Sequence, residues 1–284
     1  MSSEDQLSYR RRKIGGALRR YRDERGLTQE AAARLVERSP ASLSAYENGH
    51  RAIRPRDLRQ ILDHYGITDE RERALLLDLA AQGRKPGWWR DFDVPKGPFI
   101  VDFVSLEGDA SRIRSFESMA IPGLLQTPAY IAAVFRAYDP LRSEPHGNKA
   151  VEFRLMRQRV LEKSSLHVSW IIAEAALRML VGSPSVMKEQ LTRLVEIADR
   201  SRHSLRVMPL CAGAHPGMDG SFSILDVGSE APVQVVATHS LTRSWLVDEP
   251  SKIAEYEKVH GELMSRSLSK MDSRNRIKEI ASEL

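Results

Sequence analysis

The stretch TQEAAARLVERSPASLSAYENG, Thr28 to Gly49, decides how the first third of this 284-residue chain folds. Thr28 is a good N-cap, and Ala32, Leu35 and Val36 after it share one helical face. Ser39-Pro40 restarts the chain, because serine caps a helix and proline fits its first turn. Leu43 and Tyr46 point inward before Asn48-Gly49 stops the second helix. Upstream, Ile14, Leu18 and Tyr21 keep helical spacing and Gly26 closes the segment. Downstream, Pro55 opens a helix through Leu58, Ile61, Leu62 and Tyr65. A fifth helix runs from Asp69 to Gln82, with Leu75, Leu76, Leu77 and Leu79. The sequence therefore predicts a compact all-helical domain over residues 10–82.

A helix, a tight turn and a second helix form a scaffold that lays one helix in the DNA major groove. Thr28 and Gln29 offer a polar helix N-terminus to a phosphate, and Ala32 and Ala33 let the helices cross closely. TQEAAARLVERSPASLSAYENG resembles the helix-turn-helix of the XRE family of phage and bacterial repressors, over residues 12–80. The resemblance implies a five-helix, lambda-repressor-like fold that binds double-stranded DNA at an operator. It implies that Gln29 bonds a phosphate, and that Ser39, Pro40, Ala41, Ser42, Ser44 and Ala45 face the bases. Arg51, Arg54 and Arg56 would grip the backbone beyond. The family often carries Gln or Arg on the reading face, whereas these residues are small. Direct readout would then be shallow, with DNA shape or a basic N-terminal arm at Arg10-Arg11-Arg12-Lys13 adding specificity.

Charge agrees with this reading. Residues 1–86 hold 18 Lys+Arg against 13 Asp+Glu, and the remainder holds 25 of each, so the whole +5 excess lies in the first third. Apolar content of 42% and charged content of 29% are those of a globular protein. No run approaches the roughly 18 apolar residues needed to span a bilayer, and no membrane association is expected. The single cysteine, Cys211, excludes an internal disulfide and suggests the cytoplasm.

Residues 83–87 read as a linker, and the texture changes after them. Helical segments are predicted near 111–118, 128–137, 148–163, 174–181, 185–201 and 250–268. Strands are predicted at His167–Ile172, Leu205–Leu210, Phe222–Val227 and Val233–Thr238. Short loops join the last three strands, so an α+β domain over 88–275 with a small, mostly antiparallel sheet is expected. Trp88, Trp89 and Phe92 cluster after the linker, where they would dock the two domains.

IPGLLQTPAYIAAV, the R-x-x-R-Q run at Arg154–Gln158, IIAEAALR and the GAHPGMDGSF loop resemble a domain of unknown function. That domain follows XRE-type helices in many actinobacterial regulators. The resemblance spans residues 88–275, with a departure at Ala237-Thr238-His239, where family members often have tyrosine and glutamate. It implies a regulatory role and, from neighbouring genes, a small acidic partner protein. Three readings stand for this domain: a partner-binding surface, a small-molecule sensor with the glycine-rich loop as lid, and an enzyme.

Glu174, His215 and His239 are the candidate ligand or partner residues, with His203 and Cys211 as further enzyme candidates. No zinc pattern, nucleophile elbow or phosphate-binding glycine loop accompanies them, so neither a catalytic site, a metal nor a cofactor is expected. Cys211 reads as a small hydrophobe at a strand end, and His215 as a loop histidine bonded to nearby backbone. Together these features predict a dimeric, sequence-specific DNA-binding transcriptional regulator with a signal-receiving second domain. The alternative is an antitoxin-like binder of a small acidic protein whose DNA binding is autoregulatory.

Overall fold

The computed structural model describes residues 8–83, 88–92, 98–138, 147–199, 202–228, 233–240 and 243–284. The expected linker lies, beyond Gly83, outside the described residues. The chain forms two compact units: one of residues 1–90, 95–105 and 228–233, the other of 91–94, 106–227 and 234–284. Among the described residues, no helix is long and apolar enough to cross a membrane.

The first unit holds helices α1 (Tyr9–Glu24), α2 (Gln29–Leu35), α3 (Pro40–Glu47), α4 (Pro55–His64) and α5 (Glu70–Gln82). Their starts follow side-chain caps. The Thr28 hydroxyl accepts from Ala31 N–H at 3.2 Å, and the Ser39 hydroxyl accepts from Ser42 N–H at 3.2 Å. The Asp69 carboxylate accepts from the N–H groups of Arg71 and Glu72. Each cap satisfies N–H groups that the first helical turn cannot pair internally. Leu18, Leu43, Leu58, Ile61, Leu62 and Leu76 meet in one core, each almost fully buried.

The basic arm expected at Arg10–Lys13 is not an arm. These residues lie within α1, which begins at Tyr9. Helix α6 (Pro98–Asp109) contributes its residues up to Ser105 to this unit. Asp102 Oδ2 accepts from Tyr9 N–H at 2.6 Å, capping α1 from far along the chain. Arg10 is buried, donating to the Ser105 hydroxyl at 2.5 Å. Trp88 and Trp89 meet edge to face, with centroids 6.1 Å apart.

The second unit is built on a six-stranded mixed sheet in the order β3-β2-β1-β4-β5-β6. The strands are β1 (Ala110–Glu117), β2 (His167–Ala173), β3 (Ser204–Met208), β4 (Phe222–Val227), β5 (Val233–His239) and β6 (Ser244–Val247). The mostly antiparallel sheet expected from the sequence is corrected here. β1 pairs with β2 in parallel and β2 with β3 in parallel, while β1–β4 and β5–β6 are antiparallel. Helices α7 (Pro128–Tyr138) and α8 (Asn148–Gln158) lie between β1 and β2 in the chain, and α9 (Glu174–Arg178) and α10 (Pro184–Ala198) between β2 and β3. They supply the crossovers that parallel pairing requires.

The segment near 111–118 is strand β1, not a helix. Its Ile113–Phe116 spacing imitates a helical face, but ladders on both sides hold it extended. β3 does not pair with β4. The connection between them instead runs past the ends of β2 and β1, since β4 starts opposite Phe116 near the end of β1. Helices α11 (Pro250–Arg266) and α12 (Lys270–Ser282) complete the unit. α12 extends beyond the expected end at 275, and its Ser273 hydroxyl accepts from Val207 N–H on edge strand β3.

Candidate nucleic-acid interface

The turn between α2 and α3 is formed by Val36, Glu37, Arg38 and Ser39. Glu37 has φ +54°, the one positive φ at a non-glycine position among the described residues. Its carboxylate accepts from Gln60 on α4, which in turn accepts from Arg38. These bonds hold a left-handed residue that costs an L side chain roughly 1 kcal/mol. Behind the turn, Leu43 is fully buried and Tyr46 nearly so. The back of α3 meets α1 at Gly15, where a Cβ would lie 2.6 Å from the Tyr46 carbonyl oxygen. Only glycine permits that approach without a shift of backbone.

The outer face of α3 carries the residues expected there. Ser39, Pro40 and Ala41 are exposed, and Ser42, Ser44 and Ala45 are half-buried. The two leading serines are already joined, Ser39 donating to the Ser42 hydroxyl at 3.0 Å. Ser44 accepts from the Asn48 amide at 3.2 Å, and Arg19 on α1 donates to the Asn48 carbonyl oxygen. Gln29 is half-buried, and its amide donates to Glu47 Oε2 at 3.4 Å.

Arg51, Arg54 and Arg56 are all exposed along the chain leaving α3. The Arg51 guanidinium lies 5.6 Å from the Tyr46 ring centroid, a cation–π contact that gives it a direction. Arg54 sits at the N-cap position of α4 and makes no side-chain cap bond. Arg56 is 86% exposed and pairs loosely with Asp57 at 3.8 Å. An ion pair that open to water is worth little and yields readily to a phosphate. Sequence reading passed over Arg19, whose bond to Asn48 places a further guanidinium beside the end of α3. Its only sequence signal was its exposed position on α1.

In the second unit Glu174, His215 and His239 enter separate sets of bonds. Glu174 follows β2 and is buried; it accepts from Arg178 at 2.8 Å and from Leu210 N–H at 3.2 Å. Burial pushes its carboxyl up, but these two donors prevail and hold it below the usual range. His215 Nδ1 accepts from Gly217 N–H at 3.2 Å, the backbone bond expected of a loop histidine. Its ring stands edge-on to Phe116 at 5.6 Å. His239, at the end of β5, places Nδ1 3.1 Å from the Ser244 hydroxyl. His203 accepts from Val168 N–H, which assigns it to the fold. Cys211 is exposed in a turn after β3, so it does not pack as a small hydrophobe.

Two sequence landmarks of the second unit converge at another place. Arg154 donates to Gln126 Oε1 at 2.9 Å, and Gln158 donates to the carbonyls of Gly123 and Gln126. Arg157 grips the buried Glu107 with two bonds of 2.5 and 2.9 Å. Glu117, the last residue of β1, has its carboxyl pushed up to about 7 by burial, against the pull of Ser221 and Arg157. The R-x-x-R-Q run and the IPGLLQTP turn are thus two halves of one bonded cluster. Spacing alone could not show that, because the halves are 28 residues apart at their closest bond to Arg154.

Two family matches accompany this geometry. Residues 13–76 match a helix-turn-helix domain, and residues 100–279 match a domain of unknown function designated DUF5753. No curated protein and no solved structure matches the chain.

Proposed function

The chain belongs to the DUF5753 family and carries a helix-turn-helix domain ahead of that match, and we propose that it is a transcriptional regulator that reads an operator in double-stranded DNA. The observation that carries the reading is the outer face of α3. Small side chains at Ser39, Pro40 and Ala41 stand exposed on a helix whose back is buried, with exposed Arg51, Arg54 and Arg56 beyond it. Small side chains let the helix backbone approach base edges, serine can bond more than one base, and alanine can touch a thymine methyl. The arginines supply phosphate contacts that set register without reading sequence.

In this reading the chain binds as a homodimer, because one small reading head makes too few contacts for high specificity. The second unit receives a signal, from a partner protein or a small molecule, and works by binding rather than turnover. Regulation requires that this signal favour one DNA-binding state over the other.

The test is to select fragments of the source genome with the purified full-length chain. An enriched, roughly palindromic site is the expected result. Uniform recovery of all sequences would overturn sequence-specific reading.

A further inference from the structure

The first three strands of the sheet run parallel, and β1 is where the topology switches: β2 lies on one side of it and the returning β4 on the other. The carboxyl ends of β1, β2 and β3 therefore lie along one edge of the sheet, and β4 enters from that edge. Glu117 closes β1 at that end, and the connection carrying Gln126 follows it. Arg154, Arg157 and Gln158 reach this region from little more than one turn of α8.

The two arginines differ in charge balance. Arg157 is neutralised by Glu107, its bidentate partner. Arg154 has no carboxylate within ion-pair distance among the described residues. Its guanidinium is half-buried, bonds Gln126 through Nη1, and lies 4.7 Å from the Phe135 ring centroid. Burial first and the Arg157 charge second lower its pKa to about 10. Holding a partly desolvated cation without an anion is costly, and a protein that keeps one gains a site with a strong preference for anions. With Phe135 on its face, the guanidinium keeps its edge for in-plane bonds, the geometry that suits a carboxylate. A single unbalanced charge suits a monoanion.

We propose that Arg154 anchors a binding site for a small organic monocarboxylate at the carboxyl end of β1, with Gln126 and Phe135 holding the guanidinium in position. The proposal deepens the reading of the second unit as a receiver of a small-molecule signal, and rests on it only for the consequence of binding. Occupancy itself is measured without DNA.

The experiment is a calorimetric titration of the full-length chain with sodium benzoate, with benzamide as the neutral isostere and sodium phosphate as the other oxyanion. Benzoate is expected to bind at least tenfold more tightly than benzamide or phosphate. Arg154→Gln should weaken benzoate at least tenfold, Arg154→Lys at least threefold, and Arg276→Gln, on α12, should leave it unchanged. Thermal unfolding checks that each variant is folded; should Arg154→Gln fail to fold, Arg154→Lys carries the comparison. The proposal is overturned if benzoate shows no binding at millimolar concentration, if folded Arg154 variants bind it as the parent does, or if phosphate alone binds. Benzoate that binds but leaves operator affinity unchanged would sustain the site and remove its signalling role.

Discussion

Arg22 on α1 holds Glu47, the last residue of α3, by two charge-assisted hydrogen bonds: Nε to Oε1 at 2.8 Å and Nη2 to Oε2 at 3.1 Å. The Gln29 amide donates to the same carboxylate, so one buried side chain ties α1, α2 and α3 together. Glu47→Ala would strip Arg22 of its buried partner and leave it with the exposed Asp23 carboxylate and the Leu27 carbonyl. It should cost roughly 3 kcal/mol, the scale for breaking a buried pair from one side. Urea unfolding of the variant checks the value; a loss below about 1 kcal/mol would show that solvent replaces the carboxylate.

Adjacent glycines on α1 should respond oppositely to the same change. A Cβ on Gly15 would lie 2.6 Å from the Tyr46 carbonyl oxygen, whereas a Cβ on Gly16 would meet nothing within 4 Å. Gly15→Ala should destabilise by about 2 kcal/mol by forcing α3 away from α1, and should weaken operator binding with it. Gly16→Ala should stabilise by roughly 0.5–1 kcal/mol, the usual gain of alanine over glycine in a helix. Thermal unfolding of the pair side by side decides the matter.

Arg54 and Ser42 separate affinity from preference. Arg54→Ala should weaken binding to every DNA sequence about equally and flatten the salt dependence by about one unit of slope. Ser42→Ala should alter which sequences are preferred, through the bases and through the Ser39 hydroxyl that it now leaves without its acceptor. Competition titrations on specific and random duplexes at several salt concentrations measure both. A change of preferred operator in Arg54→Ala would place Arg54 among the base-reading residues instead.

Glu117 makes stability depend on pH. Its carboxyl is raised from 4.5 to about 7, so folding favours the protonated form. The favourable contribution is complete below pH 4.5, declines as pH rises towards 7 and is absent above it. Because Glu117 retains partial contact with solvent, the swing should be about 1–2 kcal/mol, less than the full shift implies. Glu117→Gln should therefore flatten the profile between pH 4.5 and 7 relative to the parent. Parallel unfolding curves for the two proteins across this range would count against the assignment.

The sequence by itself determined the helices of the first unit, because their signals are local. Thr28, Ser39-Pro40 and Asn48-Gly49 set the ends of α2 and α3 through bonds to residues at most a few positions away. Leu58, Ile61 and Leu62 gave α4 its buried face by spacing alone. The strands β2, β4 and β5 were legible for the same reason, as short runs rich in β-branched residues.

Only the tertiary structure decided what depended on distant partners. Arg10–Lys13 reads as a free basic run, yet it is helical: Ser8 caps α1 locally, and Asp102 and Ser105, far along the chain, receive Tyr9 N–H and Arg10. The segment ASRIRSFE has helix-like spacing and is a strand because β2 and β4 pair with both its edges. Short loops suggested hairpins, but β3 joins β2 across the crossover carrying α9 and α10, which no local pattern encodes. Arg154 and Arg157 sit within one turn of α8, yet Glu107 neutralises one and the uncharged Gln126 bonds the other. Charge balance in a folded chain is set by which side chains arrive, and spacing along the sequence does not record arrivals.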